Sequence, residues 1–255
     1  MEEVKKKLYT LCVDGYEPEI TKLTFPLLQL YANKIGAEFV VINERKWPEL
    51  PPVVEKFQVW EMALSTHKAD WHIFFDADTL IHPDMWDVTA VLGKDTTCSG
   101  ITSDFTPMRF KPDEYFLRDG RFIGKGNWCA IFSEWCLDYF IPPWMSTPYA
   151  LSDSQLGYIA ELATNINLTV AEAASGVMQP SHLIDDYIVS RNIARYGLKH
   201  TLISEVGARY GQQVAPYLWH QYLHDTDEKV VKMKQVLQGW GVQIATATVT
   251  AEVVA

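Results

Sequence analysis

The sequence lacks any run of apolar residues long enough to cross a bilayer, which takes roughly 18–20 residues. Its N-terminus, Met-Glu-Glu-Val-Lys-Lys-Lys, is charged and leads directly into an apolar stretch at residues 8–13. That stretch is too short for the hydrophobic region of a signal peptide. These two absences argue against a membrane-spanning or secreted protein and predict a cytoplasmic one.

Cysteine and positive charge are also scarce. The 22 Lys and Arg residues against 32 Asp and Glu residues give a net charge of −10, which argues against a nucleic-acid binder because such proteins carry a basic face. No two cysteines have the CxxC spacing of a zinc site, so we expect reduced thiols packed as small apolar side chains. The four are Cys12, Cys98, Cys129 and Cys136.

What the sequence does have is an alternation of apolar runs and helical periodicity over its first 80 residues. Predicted strands at 8–13, 37–42 and 71–75 are separated by predicted helices at 20–35 and 53–67. Strands that alternate with helices indicate an α/β fold with a parallel sheet and right-handed crossovers. Pro26 is a second candidate for the start of the first helix, because proline is tolerated in a first turn and disfavoured in an interior.

The remaining sequence has weaker patterns. Residues 104–125 show no period and contain several Pro and Gly residues, which predicts a functional or mobile loop. Residues 243–255 predict a tail or linker. The patterns predict further helices at 83–92, 133–140, 153–163, 185–196 and 227–237, and further strands at 97–101, 127–132 and 200–203.

The predicted strand at 71–75 stops abruptly at two carboxylates, Asp76 and Asp78. Ligands of α/β proteins collect beyond the carboxyl ends of the strands, and an unpaired buried carboxylate is costly. The pair is therefore expected to hold a cation or to bind a ligand, and oxygen ligands favour Mg²⁺ or Mn²⁺. The alternative is a strand-end turn whose acids cap the next helix, a role open also to Thr79 or Asp84.

The β-α-β order, Lys56 on the next helix and the phrase Phe-Phe-Asp-Ala-Asp-Thr-Leu-Ile at 74–81 resemble the GT-A class of nucleotide-sugar glycosyltransferases. The segments 31–36 and 69–78 are most similar to its galactosyl/mannosyltransferase group. The glycogenin-like group is a more distant relative, and its His-Phe-x-Gly-x-x-Lys-Pro-Trp phrase, which would mark the metal-binding histidine, is missing here. The resemblance implies a Rossmann-like, mostly parallel sheet flanked by helices, with a smaller mixed sheet on the acceptor side. It also implies one domain over 1–242, with a nucleotide-binding half at about 1–100 and an acceptor half at about 101–242.

The resemblance also implies roles for residues of the nucleotide-binding half. Asp76 and Asp78 would bind the metal, Mn²⁺ or Mg²⁺, and the diphosphate of the donor. Tyr16 would stack on the base, and Lys56 would approach the donor unless it is only a solvated helix lysine. The full set of nucleotide- and donor-binding candidates is Cys12, Val13, Asp14, Tyr16, Lys56, Asp76, Ala77 and Asp78.

Enzymes of this class commonly take a further metal ligand from the C-terminal part of the domain. The two candidate histidine ligands in that part are His220 and His224, and His220 is preferred. On the acceptor side, Asn127 and Trp128 occupy the place of a strand that lines the substrates, although Trp128 fits the core equally well.

Asp185 and Asp186 resemble the acidic motif at the start of the helix under the acceptor. In inverting members an acid at that place removes the proton of the acceptor hydroxyl. Capping of the helix by Asp185 explains the same pattern, and Asp153 is a further candidate for the base.

The sequence thus predicts a metal-dependent hexosyltransferase that moves a sugar from a nucleoside-diphosphate sugar, with UDP as the default, to a hydroxyl of a glycan. Its partners would be the donor and a carbohydrate acceptor, without nucleic acid or a membrane span. The choice between retention and inversion stays open, as do the sugar and the oligomeric state. Related eukaryotic enzymes are tethered in the lumen, so the missing span indicates a bacterial or viral source or an excised domain.

Two other classes share the acidic motif. One is a non-catalytic sugar- or nucleotide-binding relative, which would keep the fold without converging catalytic groups. The other is a phosphatase of the haloacid-dehalogenase type. That class carries its motif on the first strand and has one residue between the second Asp and the Thr, whereas Thr79 directly follows Asp78 here.

Overall fold

The computed structural model describes residues 3–48, 52–100, 128–136, 199–209, 217–220, 225–243 and 252–254. Nine strands lie in these ranges: β1 (Lys6–Leu11), β2 (Ala37–Ile42), β3 (Trp71–Phe75), β4 (Leu80–Ile81), β5 (Thr96–Ser99), β6 (Cys129–Ser133), β7 (Lys199–Leu202), β8 (Leu218–Trp219) and β9 (Glu252–Val254). The helices are α1 (Pro18–Ile35), α2 (Gln58–Ser65), α3 (Ile203–Arg209) and α4 (Thr226–Trp240). Short 3₁₀ turns occur at Val13–Gly15, Pro52–Phe57 and Val88–Ala90.

Seven of the strands form one sheet in the order β7-β5-β6-β3-β1-β2-β9. Among these described strands only β6 runs antiparallel to its neighbours, β3 and β5. β4 and β8 form a separate antiparallel pair. The architecture confirms the predicted α/β class, with a mostly parallel sheet, flanking helices and a smaller second sheet. In the part of the chain that the structure covers, no helix is long and apolar enough to span a membrane.

Helix α1 has a proline both at its start and in its interior. Pro18 occupies the first turn, and the helix continues through the buried Pro26 to Gly36, whose left-handed φ of 69° closes it. The predicted second start at Pro26 is therefore wrong. Proline inside a helix removes one backbone hydrogen bond because it has no N–H. Here the burial of one face of a long helix stabilises the helix by more than that loss costs.

Several other boundaries differ from the sequence predictions. The predicted helix at 53–67 divides into a 3₁₀ turn and the shorter α2. The predicted helix at 83–92 is reduced to the turn Val88–Ala90, because Asp87 caps that turn at Thr89 N and is held by an ion pair with Lys6 of 2.6 Å. α3 was not predicted, and residues 252–254 pair with β2 although a tail or linker was expected for 243–255.

The remaining predictions divide into two groups. The predicted helix at 227–237 is confirmed as α4, which Asp225 caps through Glu228 N at 2.8 Å. The predicted loop at 104–125 and the helices at 153–163 and 185–196 lie outside the described residues, as does the second half of the helix predicted at 133–140.

Strand β3 lies at the centre of the sheet and is buried on both faces. Trp71, Ile73 and Phe75 belong to the main core cluster, which includes residues of α1. The alternate positions, His72 and Phe74, point to the opposite face. A central strand covered on both sides can hold the residues at its carboxyl end in fixed positions.

His72 is a buried titratable group within this strand. Its Nδ1 lies 3.0 Å from the hydroxyl of Tyr9, and its ring stacks on Phe132 with centroids 5.3 Å apart. Burial, with additional repulsion from Lys7 and His67, lowers the pKa of His72 from 6.5 to about 4. The folded protein therefore requires the neutral form of this side chain.

This burial predicts acid-sensitive stability. The unfolded chain takes up a proton on His72 near pH 6.5 and the folded chain only near pH 4. The unfolding free energy should therefore be unaffected by this group above pH 6.5 and should fall by up to about 3 kcal/mol as the pH decreases towards 4. Urea unfolding at several pH values will measure the slope, and His72→Gln should flatten it. An identical slope in both proteins would contradict this account.

Candidate metal and donor site

The chain turns sharply after β3 and places Asp76 and Asp78 at the carboxyl edge of the sheet. Three hydrogen bonds fix this turn. The N–H of Asp76 donates to the carbonyl of Trp128 at 2.8 Å, and the N–H of Thr79 donates to the carbonyl of Asp76 at 3.0 Å. The hydroxyl of Thr24 on α1 donates to the carbonyl of Ala77 at 2.5 Å. The backbone of the acidic pair is thus tied to a neighbouring strand end and to a helix.

His220 reaches the acidic pair through the small second sheet. Leu80 pairs with Trp219 in this sheet, so the residue that follows β8 lies beside the acidic turn. Nε2 of His220 is 3.2 Å from Oδ1 of Asp78 and 3.9 Å from Oδ2 of Asp76. Single ligand atoms of these three residues all lie within 4.8 Å of one another, a spacing at which they could hold one metal ion. The other candidate histidine, His224, lies outside the described residues.

Each carboxylate also has its own lysine. Nζ of Lys56 lies 2.9 Å from Oδ1 and 3.1 Å from Oδ2 of Asp76. Nζ of Lys229, in the first turn of α4, lies 2.5 Å from Oδ2 of Asp78. Both lysines are largely buried, with side-chain exposures of 9% and 7%. Charges at this depth are stable only when they are paired, so the two acids and two lysines form one compensated group.

The surroundings separate the pKa values of the two acids. Burial raises the pKa of Asp76, and the neighbouring charge of Asp78 adds to this, against the opposing effects of Lys56 and His220. Burial acts in the same direction on Asp78, but His220 and Lys229 outweigh it and hold the pKa of that carboxyl well below its usual range. Asp78 is therefore ionised at neutral pH, which makes it the stronger of the two candidate cation ligands.

Tyr16 is a further partner of Asp78. Its ring packs beside a cluster of α1, β4 and α4 residues, and its phenol lies near Asp78. Burial, with the negative charges of Asp78 and Asp76, raises the pKa of Tyr16 well above its usual value, so the hydroxyl stays protonated. The structure thus ties this residue to the acidic pair, and its stacking on a base stays a prediction.

The loop after β1 lies at the same edge of the sheet. Cys12 N donates to the carbonyl of Ile42 at 2.7 Å, and Asp14 adopts a left-handed φ of 56°. Arg45 holds this loop through ion pairs of 2.9 Å to Asp14 and 3.1 Å to the fully buried Glu55. Val13 is buried, so it could contact a nucleotide only through its backbone. These contacts stabilise the predicted nucleotide-binding loop in one conformation.

The acceptor side is described only in part. Trp128 is 5% exposed and one face of its indole is covered by His220, which leaves little of the ring for a sugar. Its role towards an acceptor stays a prediction. Asn127 and the candidate bases Asp153, Asp185 and Asp186 lie outside the described residues.

Lys229 and Arg45 were not predicted from the sequence. A signal for Lys229 exists, since it falls in the spacing of the buried α4 residues Met233 and Leu237. A lysine within an apolar helical stripe needs a buried partner. Arg45 lies in an irregular connection, where the sequence has no comparable pattern.

The chain matches no family model and no curated protein. Three of the solved structures with which it can be aligned are described as glycosyltransferases. The galactosyltransferase LgtC, solved with donor and acceptor sugar analogues, aligns with a TM-score of 0.47 and 8% identity over 94% of this chain and 97% of its own. An enzyme involved in glycosylation of the major capsid of PBCV-1 gives a TM-score of 0.46 and 9% identity over 90% and 99%.

The third is the glycosyltransferase GlyE of Streptococcus pneumoniae TIGR4. It gives a TM-score of 0.40 and 9% identity over 93% of this chain and 63% of its own. At these identities and TM-scores the activity of the chain has to be argued from its own site.

The buried pairing of Asp78 predicts a large effect of Lys229→Met on stability. The substitution leaves a buried carboxylate with fewer partners, and the unfolding free energy should fall by about 1–3 kcal/mol. Lys232→Met on the same helix is a matched control, because Lys232 pairs with Glu228 at the surface and should matter by less than about 0.5 kcal/mol. Urea unfolding at pH 7 will compare the two variants, and equal losses would contradict the compensated group.

Proposed function

We propose that this protein is a metal-dependent glycosyltransferase that moves a sugar from a nucleoside-diphosphate sugar, with UDP as the nucleotide, to a hydroxyl of a glycan. The observation that carries the proposal is the convergence of Asp76, Asp78 and His220, whose ligand atoms lie within 4.8 Å of one another at the carboxyl edge of the sheet. Ligands of open α/β sheets bind at this edge.

The residues present fit a divalent cation. Two carboxylates and one imidazole supply oxygen and nitrogen ligands, and carboxylates suit Mn²⁺ or Mg²⁺. Asp78 contributes a carboxylate that is ionised at neutral pH because His220 and Lys229 keep its pKa low despite burial. A group of this kind can bind a cation without first losing a proton.

The balance of charge supports a diphosphate ligand. Lys56 and Lys229 balance the charges of the two acids. The two positive charges of a bound divalent cation would therefore be uncompensated by the protein and could be neutralised by an anionic ligand. The diphosphate of a nucleotide sugar carries two negative charges and matches this excess. When bound, the cation neutralises charge that develops on the leaving nucleoside diphosphate.

The protein's own groups would bind and orient the donor around that centre. Lys56 and Lys229 lie within reach of the acids and can donate charge-assisted hydrogen bonds to phosphate oxygens. The loop at 12–16 lies at the same edge and would contact the nucleoside. In an inverting reaction Asp186 or Asp185 would take the proton of the acceptor hydroxyl, and Asn127 would face the acceptor.

A phosphatase of the haloacid-dehalogenase type is disfavoured by the position of the motif. That class carries its acids after the first strand, whereas here they follow β3, the third strand of the chain. A non-catalytic binding protein would keep the donor site but release no nucleoside diphosphate from a nucleotide sugar, so a turnover assay separates this alternative.

Asp78→Asn should abolish both sugar transfer and donor hydrolysis. The loss of a charged cation ligand removes several kcal/mol of transition-state stabilisation, which corresponds to at least about 100-fold in rate. Release of nucleoside diphosphate from a panel of nucleotide sugars with Mn²⁺ will measure this. Asp84→Asn is the control, because Asp84 is 81% exposed and should leave the rate unchanged. Full activity of Asp78→Asn, or of the wild type in EDTA, would refute the proposal.

Ligand-induced stabilisation should identify the nucleotide. A nucleoside diphosphate present at about 100 times its dissociation constant stabilises the folded state by roughly 2.7 kcal/mol, which is visible as a rise in Tm. We expect UDP or a UDP-sugar to raise Tm with Mn²⁺ and much less without it. Calorimetric melting with the common nucleoside diphosphates, each with and without Mn²⁺, provides the comparison. No shift with any of them would count against a nucleotide-sugar donor.

A further inference from the structure

The imidazole of His220 lies parallel to the indole of Trp128, with ring centroids 5.0 Å apart and an interplanar angle of 4°. Histidines that bind metals usually donate their second ring N–H to a carboxylate, a carbonyl or a water, which fixes the orientation of the ring. Nδ1 of His220 is buried and has no hydrogen-bond partner in the described ranges. Among the described residues, the contacts that orient this ring are the approach of its Nε2 to Asp78 at 3.2 Å and its packing on Trp128.

Trp128 is also anchored to a second candidate ligand. Its carbonyl accepts the hydrogen bond from Asp76 N at 2.8 Å, so one residue fixes the backbone of Asp76 and the ring of His220. The indole is 5% exposed and packs beside Phe75, the last residue of β3, at a centroid distance of 6.4 Å. Its position is consequently determined by the core of the sheet.

The position of the indole depends on Gly100, which follows β5. A Cβ atom at Gly100 would lie 2.1 Å from Cε2 and 2.2 Å from Cζ2 of Trp128, far inside van der Waals contact. Glycine permits this close approach because it has no side chain. Gly100 N also donates to the carbonyl of Cys129 at 3.3 Å, so the glycine cannot easily move away.

We propose that Trp128 is a positioning residue whose indole, seated against Gly100, holds the His220 imidazole with Nε2 towards Asp76 and Asp78. Trp128 would act through His220 and not by touching the cation. The inference rests on the proposed function only for the identity of the ligand, because the packing is a property of the protein alone.

A double-mutant cycle on Mn²⁺ affinity tests this role. Isothermal titration calorimetry will compare the wild type, Trp128→Leu, His220→Ala and the double variant. Trp128→Leu should weaken Mn²⁺ binding by roughly 10-fold or more, as changes to the supports of metal ligands do. Because both changes act through the same imidazole, the double variant should bind no more weakly than His220→Ala alone. Trp128→Phe keeps a flat ring and should retain most of the affinity.

Two further variants separate positioning from a general loss of packing. Trp71→Leu is the matched control, since Trp71 is 3% exposed in the same core cluster but lies at the opposite end of β3 from Asp76. It should lower Tm and leave the Mn²⁺ dissociation constant unchanged. Gly100→Ala should weaken Mn²⁺ binding in the same way as Trp128→Leu. Circular dichroism will confirm that each variant is folded.

Unchanged Mn²⁺ affinity in folded Trp128→Leu, or losses that add in the double variant, would overturn the proposal. A wild type that binds no Mn²⁺ would instead overturn the metal dependence of the proposed function. In that case ¹⁵N imidazole spectra of the metal-free protein decide the positioning role. His220 ring signals that shift or broaden in Trp128→Leu but not in Trp71→Leu support it, and unaltered signals refute it.

Discussion

The arrangement of the site depends on the buried charge of the Asp78 carboxylate. An unpaired carboxylate at this depth would cost several kcal/mol or take up a proton. Tyr16, His220 and Lys229 come from separate parts of the chain and meet at Asp78, and the last two hold its pKa low despite burial. The protein therefore presents an ionised carboxylate oxygen before any cation binds. The charges of the surrounding residues make this ionised form stable.

The backbone around the acids explains why this arrangement can persist. Hydrogen bonds from Thr24 to the Ala77 carbonyl and from Asp76 N to the Trp128 carbonyl connect the acidic turn to α1 and to the start of β6. The β4–β8 pair fixes the chain on the other side of the turn. A site built on such elements is preorganised, since its ligands cannot separate without breaking the framework. The antiparallel direction of β6 is essential, because it brings the start of that strand to the edge where the parallel strands end.

Features of the fold and the site were predictable from the sequence where they depend on residues close together in the chain, and not where they depend on residues far apart in it. The strand at 71–75, its terminal acids and the helix at 20–35 were predicted correctly because these patterns are local. The alternative helix start at Pro26 was wrong, because tertiary burial overrides a local preference. His220 and His224 have the same residue type and nearly the same place in the chain, so the sequence nominates both as metal ligands without deciding between them. The partnership of Lys229 with Asp78 and the stack of Trp128 on His220 depend on tertiary contacts that no sequence spacing encodes.

The ion pair between Lys229 and Asp78 joins residues 151 positions apart in the chain. Closing a loop of this length costs conformational entropy, which the docking of α4 on the sheet has to offset. Whenever α4 is detached, the acidic pair is left without one of its two lysines. Competence to bind an anionic ligand would therefore depend on the docking of a helix near the C-terminal end of the described chain.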